Sequence, residues 1–272
     1  MNRLATHRRS ALLASLVVAA LLAVLPGRAG AQVDPLWDHY KVYFQNPPFT
    51  IAPIPVGLAD QFGPFTHDVH VMELFANPVE KTVGPPPVQT YPINDSLLHY
   101  SWWRITPQPF FATVAVTNQF GDQTLNVHDA AYLLNPAIKN PVTGQQPPTK
   151  NHYKCYFCDG VTIDRPVTLV DQFDRWDANV LFPRFFCNPV EKRLDAAHGG
   201  QVYPIVDGRQ HYVCYEYQPP DPTPFEATMT DQFVDRLGLS LHPSRLLCVP
   251  TDKTGVTSTG SSTWGRIKIL YR

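Results

Sequence analysis

The sequence predicts an all-β protein, arranged as two tandem pseudo-symmetric antiparallel β-sandwich or barrel domains, each built from two half-repeats. Three observations predict it. Short runs rich in β-branched and aromatic residues, such as "HYKVYF", "FFATVAVT", "PVTLVDQF" and "HYVCYEY", recur along the 272 residues between proline and turn signals. No long segment carries the i, i+3, i+4, i+7 apolar spacing of an amphipathic helix. One pattern also occurs four times, in two pairs.

His-Tyr opens each unit, at His39-Tyr40, His99-Tyr100, His152-Tyr153 and His211-Tyr212. Asp60-Gln61-Phe62, Asn118-Gln119-Phe120, Asp171-Gln172-Phe173 and Asp231-Gln232-Phe233 follow. Each unit then reaches a Pro-x-x-Lys segment that reads as a turn: Pro78/Lys81, Pro136/Lys139, Pro189/Lys192 and Pro250/Lys253. The strand before Asp171 alternates, with Val167 and Leu169 on one face and Thr168 and Val170 on the other. The carboxylate or amide that ends the strand suits a turn in which it accepts from nearby backbone amides. Prolines are expected at strand ends, edges and loops. Phe62, Phe120, Phe173 and Phe233 are expected to be buried with the Tyr of their own strand.

A longer period lies on top. Tyr91-Pro92-Ile93 leads into His99 as Tyr203-Pro204-Ile205 leads into His211, an offset of 112 residues. The seam "NPAIKNPVTGQQPPTKN" is rich in Pro, Gly and Gln and reads as a linker. Domains are expected at 33–148 and 149–272. "TGVTSTGSSTWG" reads as a flexible loop before a closing strand, "WGRIKILYR".

Residues 1–31 read as a secretory signal, with a basic start, the apolar run "ALLASLVVAALLAVL" and small residues up to a cleavage site after Ala31. That run is shorter than the ~20 residues a spanning helix needs, and no other long apolar run exists. The expected localisation is secreted or periplasmic. Arg3, Arg8, Arg9 and Arg28 leave with the signal, so the remainder is acidic and no nucleic-acid partner is expected.

All five cysteines lie in the second half. Cys155 and Cys214 are the fourth residues of their His-Tyr strands; Cys187 and Cys248 stand two before the prolines of their units. The same slots in the first half hold Val42 and Ala76, then Trp102 and Leu134. Four present together and four absent together is the pattern of bonded pairs in an oxidising compartment. Equal spacing favours Cys155–Cys187 and Cys214–Cys248. Volume matching in the cysteine-free half favours the crossed alternative, Cys155–Cys248 and Cys187–Cys214. Cys158 falls outside the pattern and is left unpaired. It sits three after Cys155, so on a strand the two face apart and cannot share a metal.

The repeated units resemble a family of exported bacterial β-rich domains of unknown function that carry His-[Tyr/Phe]-x-Cys-Tyr, then Asp/Asn-Gln-Phe, then Cys-x-Pro-x-x-Lys. "HYKCY", "VDQF" and "CNPVEK" carry the likeness, as do "HYVCY", "TDQF" and "CVPTDK". The first half departs from it by lacking cysteines. The resemblance implies an exported β-rich module and brings no activity, substrate or catalytic residue.

No catalytic residue, metal site or cofactor is assigned. Gly-x-Ser-x-Gly, His-Glu-x-x-His and phosphate-loop patterns are absent. His67, Asp68, His70 and His128 are the candidates for a metal, but His67 and His70 diverge on a strand. Trp102, Trp103, Trp176 and Trp264 are candidates for stacking on sugars or for the core. The expected function is an exported non-enzymatic binding or structural module with an unknown extracytoplasmic ligand or protein partner. The alternatives are an exported hydrolase acting on glycan or peptide, and a His-mediated metal-binding protein.

Overall fold

The computed structural model describes residues 34–84, 88–222 and 224–258. The expected signal and its expected cleavage site at Ala31, Trp264 and the expected closing strand lie outside the described residues. Among those described, the chain is almost wholly β, with one 3-10 turn at Ala196–His198.

Unit one is a long hairpin of β1 (His39–Asp60) and β2 (Gly63–Val83), followed by the short β3 (Gln89–Tyr91). Unit two holds β4 (His99–Gln108), β5 (Ala112–Asn118) and β6 (Gly121–Lys139). Unit three holds β7 (His152–Asp159), β8 (Arg165–Val170) and β9 (Arg175–Leu194), then the short β10 (Val202–Tyr203). Unit four holds β11 (His211–Asp221), β12 (Phe225–Thr230) and β13 (Leu237–Ser258).

The expected division into two tandem domains is corrected by the strand pairing. Eight antiparallel strands close in one circuit, β1-β13-β11-β9-β7-β6-β4-β2 and back to β1. The seam between the copies is bridged by β6 and β7, where Leu134 lies opposite Tyr153. The two ends of the chain are joined by β1 and β13, where Tyr40 lies opposite Cys248. A half-barrel of four strands would leave two unpaired edges, and each copy closes on the edges of the other.

The Pro-x-x-Lys segments are strand, not turns: β2, β6, β9 and β13 each run straight through theirs. Each proline pairs with the tyrosine that opens its own unit, Tyr40 with Pro78, Tyr100 with Pro136, Tyr153 with Pro189 and Tyr212 with Pro250. On the other side the ladder has ended by that level; the pairing of β2 with β4, for example, stops at Ala76 and Tyr100. A strand tolerates proline where its imide nitrogen faces no partner. Strand β13 likewise continues through Thr254–Ser258, paired with β5, where a loop was expected.

Beyond the circuit, each unit extends a hairpin arm whose tip is the Asp/Asn-Gln-Phe turn. Each arm adds a strand to the opposite unit. The arm of unit one pairs Val56–Ala59 with Glu191–Leu194 of β9, and β8 of unit three pairs with Glu80–Val83 of β2. Similarly β5 of unit two pairs with β13, and β12 of unit four pairs with the end of β6. Units one and three exchange arms, as do units two and four.

Alternation divides the side chains between two cores. Tyr40, Tyr100, Tyr153 and Tyr212 meet edge to face around the axis, with successive ring centroids 5.2, 5.5, 5.2 and 5.7 Å apart. The next layer inward holds the cross-strand pairs Val42–Ala76, Trp102–Leu134, Cys155–Cys187 and Cys214–Cys248. The outer core lies between barrel and arms, and includes Tyr43, Trp103, Tyr156 and Tyr215 with the apolar faces of the arms, Val167 and Leu169 among them.

Candidate functional site

The polar residues common to all four units gather in the layer between barrel and arms. At each arm tip the Asp or Asn side chain accepts from the amide two residues on: Phe62 N to Asp60 at 2.9 Å, Phe120 N to Asn118 at 2.9 Å, Phe173 N to Asp171 at 2.9 Å and Phe233 N to Asp231 at 2.7 Å. The second oxygen is free for a partner across the interface, and that partner is the fifth residue of the opposite unit's first strand. Tyr43 donates to Asp171 at 2.7 Å, Tyr156 to Asp60 at 2.8 Å and the Trp103 indole to Asp231 at 2.7 Å. In the fourth case the tip is an amide, and Asn118 Nδ2 donates to the Tyr215 hydroxyl at 2.8 Å.

The glutamines of the tips reach the barrel asparagines. Gln172 Nε2 donates to Asn77 at 3.0 Å, Gln232 Nε2 to Asn135 at 3.2 Å, and Gln61 to Asn188. Val249 stands in the fourth asparagine position, and Gln119 instead accepts from His39 Nε2 at 2.9 Å. Each tip phenylalanine packs edge-on against the aromatic it faces: Phe62 on Tyr156, Phe120 on Tyr215, Phe173 on Tyr43 and Phe233 on Trp103. The expectation that each would pack on the Tyr of its own strand is therefore corrected. The arms cross to the opposite unit before they dock.

Burial sets the charge states. Desolvation holds His39 and His152 well below the usual imidazole value, with Lys81 and Lys192 adding to the effect. It brings His99 and His211 down to about 4. All four are neutral at pH 7. His99 and His211 donate from Nδ1 to the carbonyls of Leu97 at 3.0 Å and Arg209 at 2.7 Å. The repeat lysines follow: burial holds Lys81 and Lys192 well below their usual value and brings Lys139 and Lys253 to about 8. Lys41 is different. It forms a buried ion pair with Asp221 at 2.5 Å and Asp174 at 2.9 Å.

The cysteines occupy facing slots of the inner core. Cys155 is bonded to Cys187 and Cys214 to Cys248, each pair directly opposite on adjacent strands. The crossed alternative is not formed: β7 and β13 are not neighbours, and on the adjacent strands β9 and β11 Cys187 lies opposite Tyr212 while Cys214 lies opposite Phe185. Cys158 is a buried free thiol in the outer core, facing away from Cys155. Trp102 and Trp103 are fully buried, and Trp176 donates to the carbonyl of Pro219 at 2.9 Å. Buried His67 donates from Nδ1 to the Thr106 carbonyl at 2.8 Å, and His128 bonds Asp159 at 2.6 Å. Among the described residues no three His, Cys, Asp or Glu side chains are grouped as metal ligands.

One concave site breaks the repetition. A cavity of about 210 Å³ opens over the tyrosine ring at the His-Tyr end of the barrel. One side presents Leu36, Trp37, Asp38 and Leu98; the matching positions of the other copy present Thr149, Lys150, Asn151 and Gln210, of which Lys150, Asn151 and Gln210 line the cavity. Asp95 and Asp207 complete the wall. Sequence reasoning missed it, because its residues lie just before the repeated motifs and differ between the copies.

A family model for a repeat of unknown function, DUF7450, matches residues 99–250. The chain belongs to the DUF7450 repeat family. That match runs from the histidine opening unit two to the proline of unit four, and so includes both disulfides, three of the arm tips and the β6–β7 seam. No curated protein and no solved structure matches this DUF7450 chain.

Proposed function

We propose that the chain is an exported, non-enzymatic binding or structural module that works in an oxidising compartment outside the cytoplasm. The observation that carries this reading is the use of the repeated polar groups. The Asp/Asn, Gln and Tyr/Trp side chains most suggestive of chemistry hold arms onto the barrel, and their geometry recurs from unit to unit. A catalytic set is needed once, in one place, with groups converging on an open cleft. Two disulfides and the signal-like residues 1–31 support export. The contact surface is the mouth cavity, where the two copies differ and where Leu36 and Val206 stand exposed beside Asp95 and Asp207.

The test is an assay of the purified chain against glycan and peptide substrates, paired with fractionation of cells producing the full sequence. No turnover, with the protein found outside the cytoplasm, is expected. Turnover that disappears in Asp207→Asn would establish the hydrolase reading in its place. Metal retained through gel filtration and lost with His67→Ala would establish the metal-binding one.

A further inference from the structure

Lys192 and Asn135 form the most unusual polar pair in the molecule. Both are fully buried, and Lys192 Nζ lies 2.9 Å from Asn135 Oδ1. Among the described residues no carboxylate pairs with the amine at salt-bridge distance. The rings of Tyr203 and Phe233 cover it, with centroids 4.5 and 5.1 Å away. The Nδ2 of Asn135 has no hydrogen-bond partner among the described residues. Gln232 Nε2 donates to Asn135 Oδ1 at 3.2 Å, and Asp231 lies next to Gln232 on the same arm tip.

We infer that Lys192 and Asn135 join in an intramolecular isopeptide bond, formed by the folded chain itself. Desolvation pushes a lysine toward the free amine, its nucleophilic form, and burial lowers Lys192 well below the ordinary lysine value. The fold holds it against a side-chain amide, which supplies the proximity that the reaction lacks in water. The Nζ lone pair attacks Cγ, and the carbonyl electrons move to Oδ1, where the Gln232 donor stabilises them as an oxyanion hole does. The carbonyl then re-forms and the Cγ–Nδ2 bond breaks. One proton from Nζ passes to Nδ2, Asp231 being the carboxylate whose charge acts on Lys192. Ammonia leaves, and no oxidant or other reactant is needed. A cavity of about 260 Å³, bordered by His152, Tyr203 and Gln232, gives it a way out.

The other units serve as internal comparisons. Where Lys81 lies, the asparagine position holds Val249 and the aspartate position holds Asn118, so electrophile and carboxylate are lost together. Lys81 Nζ is buried there with no hydrogen-bond partner. Lys139 and Lys253 have both residue types at the matching positions, Asn77 with Asp171 and Asn188 with Asp60, but among the described residues only Lys192 is in hydrogen-bond contact with its asparagine. The inference is limited to that pair and is independent of the proposed function.

Peptide mapping of the folded, disulfide-reduced wild-type chain tests it. The expected result is a branched peptide containing both Asn135 and Lys192, with the intact chain lighter by one ammonia. A mature N-terminal Gln32 loses the same mass on cyclising, so the branched peptide decides and the intact mass alone does not. Lys192→Arg should abolish the branch. Recovery of Asn135 and Lys192 in separate, unmodified linear peptides from wild type would overturn the inference, whether or not the variant folds.

Discussion

The Tyr43 hydroxyl donates to Asp171 across the interface between unit one and the arm of unit three, at 2.7 Å. Tyr156 returns the same bond to Asp60 at 2.8 Å. The two contacts are one interaction made twice, in opposite directions. Tyr43→Phe leaves a buried carboxylate oxygen without its donor and should lower stability by about 1–3 kcal/mol. Tyr156→Phe should cost a similar amount. Urea unfolding of the single and double variants measures both. Tyr43→Phe behaving as wild type would show that the arm does not dock there.

Acid should destabilise the fold as its buried histidines are forced to charge. His67, His99 and His211 have folded values near 4, lowered by burial from 6.5. The unfolded chain therefore binds more protons between those limits, and stability rises with pH across that window and is lost as pH falls through it. Asp60 works the other way, its folded value being raised by burial, so Asp60→Asn should steepen the net rise. The melting temperature from pH 4 to 7 checks this.

The lysines give a second, alkaline limb. Lys139, Lys154 and Lys253 sit near 8 in the folded state, against an ordinary 10.5, because burial disfavours the ammonium. The unfolded chain again binds more protons, so stability should rise from pH 8 toward 10. Above that the buried tyrosines, whose folded values burial has raised, reverse the trend. A melting temperature that falls steadily from pH 8 would contradict the burial of these lysines.

Each disulfide closes a loop of 32 or 34 residues and should contribute about 3–4 kcal/mol. Cys214→Ala with Cys248→Ala should therefore lower stability by that order and should also open space in the inner core. Guanidinium unfolding with and without reductant measures it. Cys158, buried and with its thiol pushed up by desolvation, should resist alkylation until the chain unfolds.

Much of this was legible in the sequence. The all-β class followed from alternation such as that of Val167 and Leu169. The cysteine slots were visible because Val42, Ala76, Trp102 and Leu134 mark the same register in the other copy. The circuit was not legible. Alternation says which face of a strand is buried but not which strand lies beside it, so nothing in β6 announced β7 as its neighbour. The Pro-x-x-Lys segments misled because proline ordinarily ends a ladder, and here the ladder ends on one side of the strand only. Phe173 packing on Tyr43 needed the arm crossing, which no local pattern encodes.

Because each copy lends its arms to the other, half of the chain should not be self-sufficient. Residues 149–272 produced alone should pair with a second identical half, with the arms of units three and four docking on their counterparts. Light scattering after size exclusion should report a dimer. A stable folded monomer would show that the arms can close on their own copy.

The meeting of β1 with β13 also sets a schedule. A chain that emerges from its N-terminus presents Tyr40 long before Cys248 exists to face it. The first strand must wait for the last, and the arm of unit two waits for that same last strand. Until residues near 250 have emerged the circuit cannot close, so its completion comes late. On the proposed export, if it runs by threading an unfolded chain, such a delay would keep the cargo slender during transit and compact only after arrival.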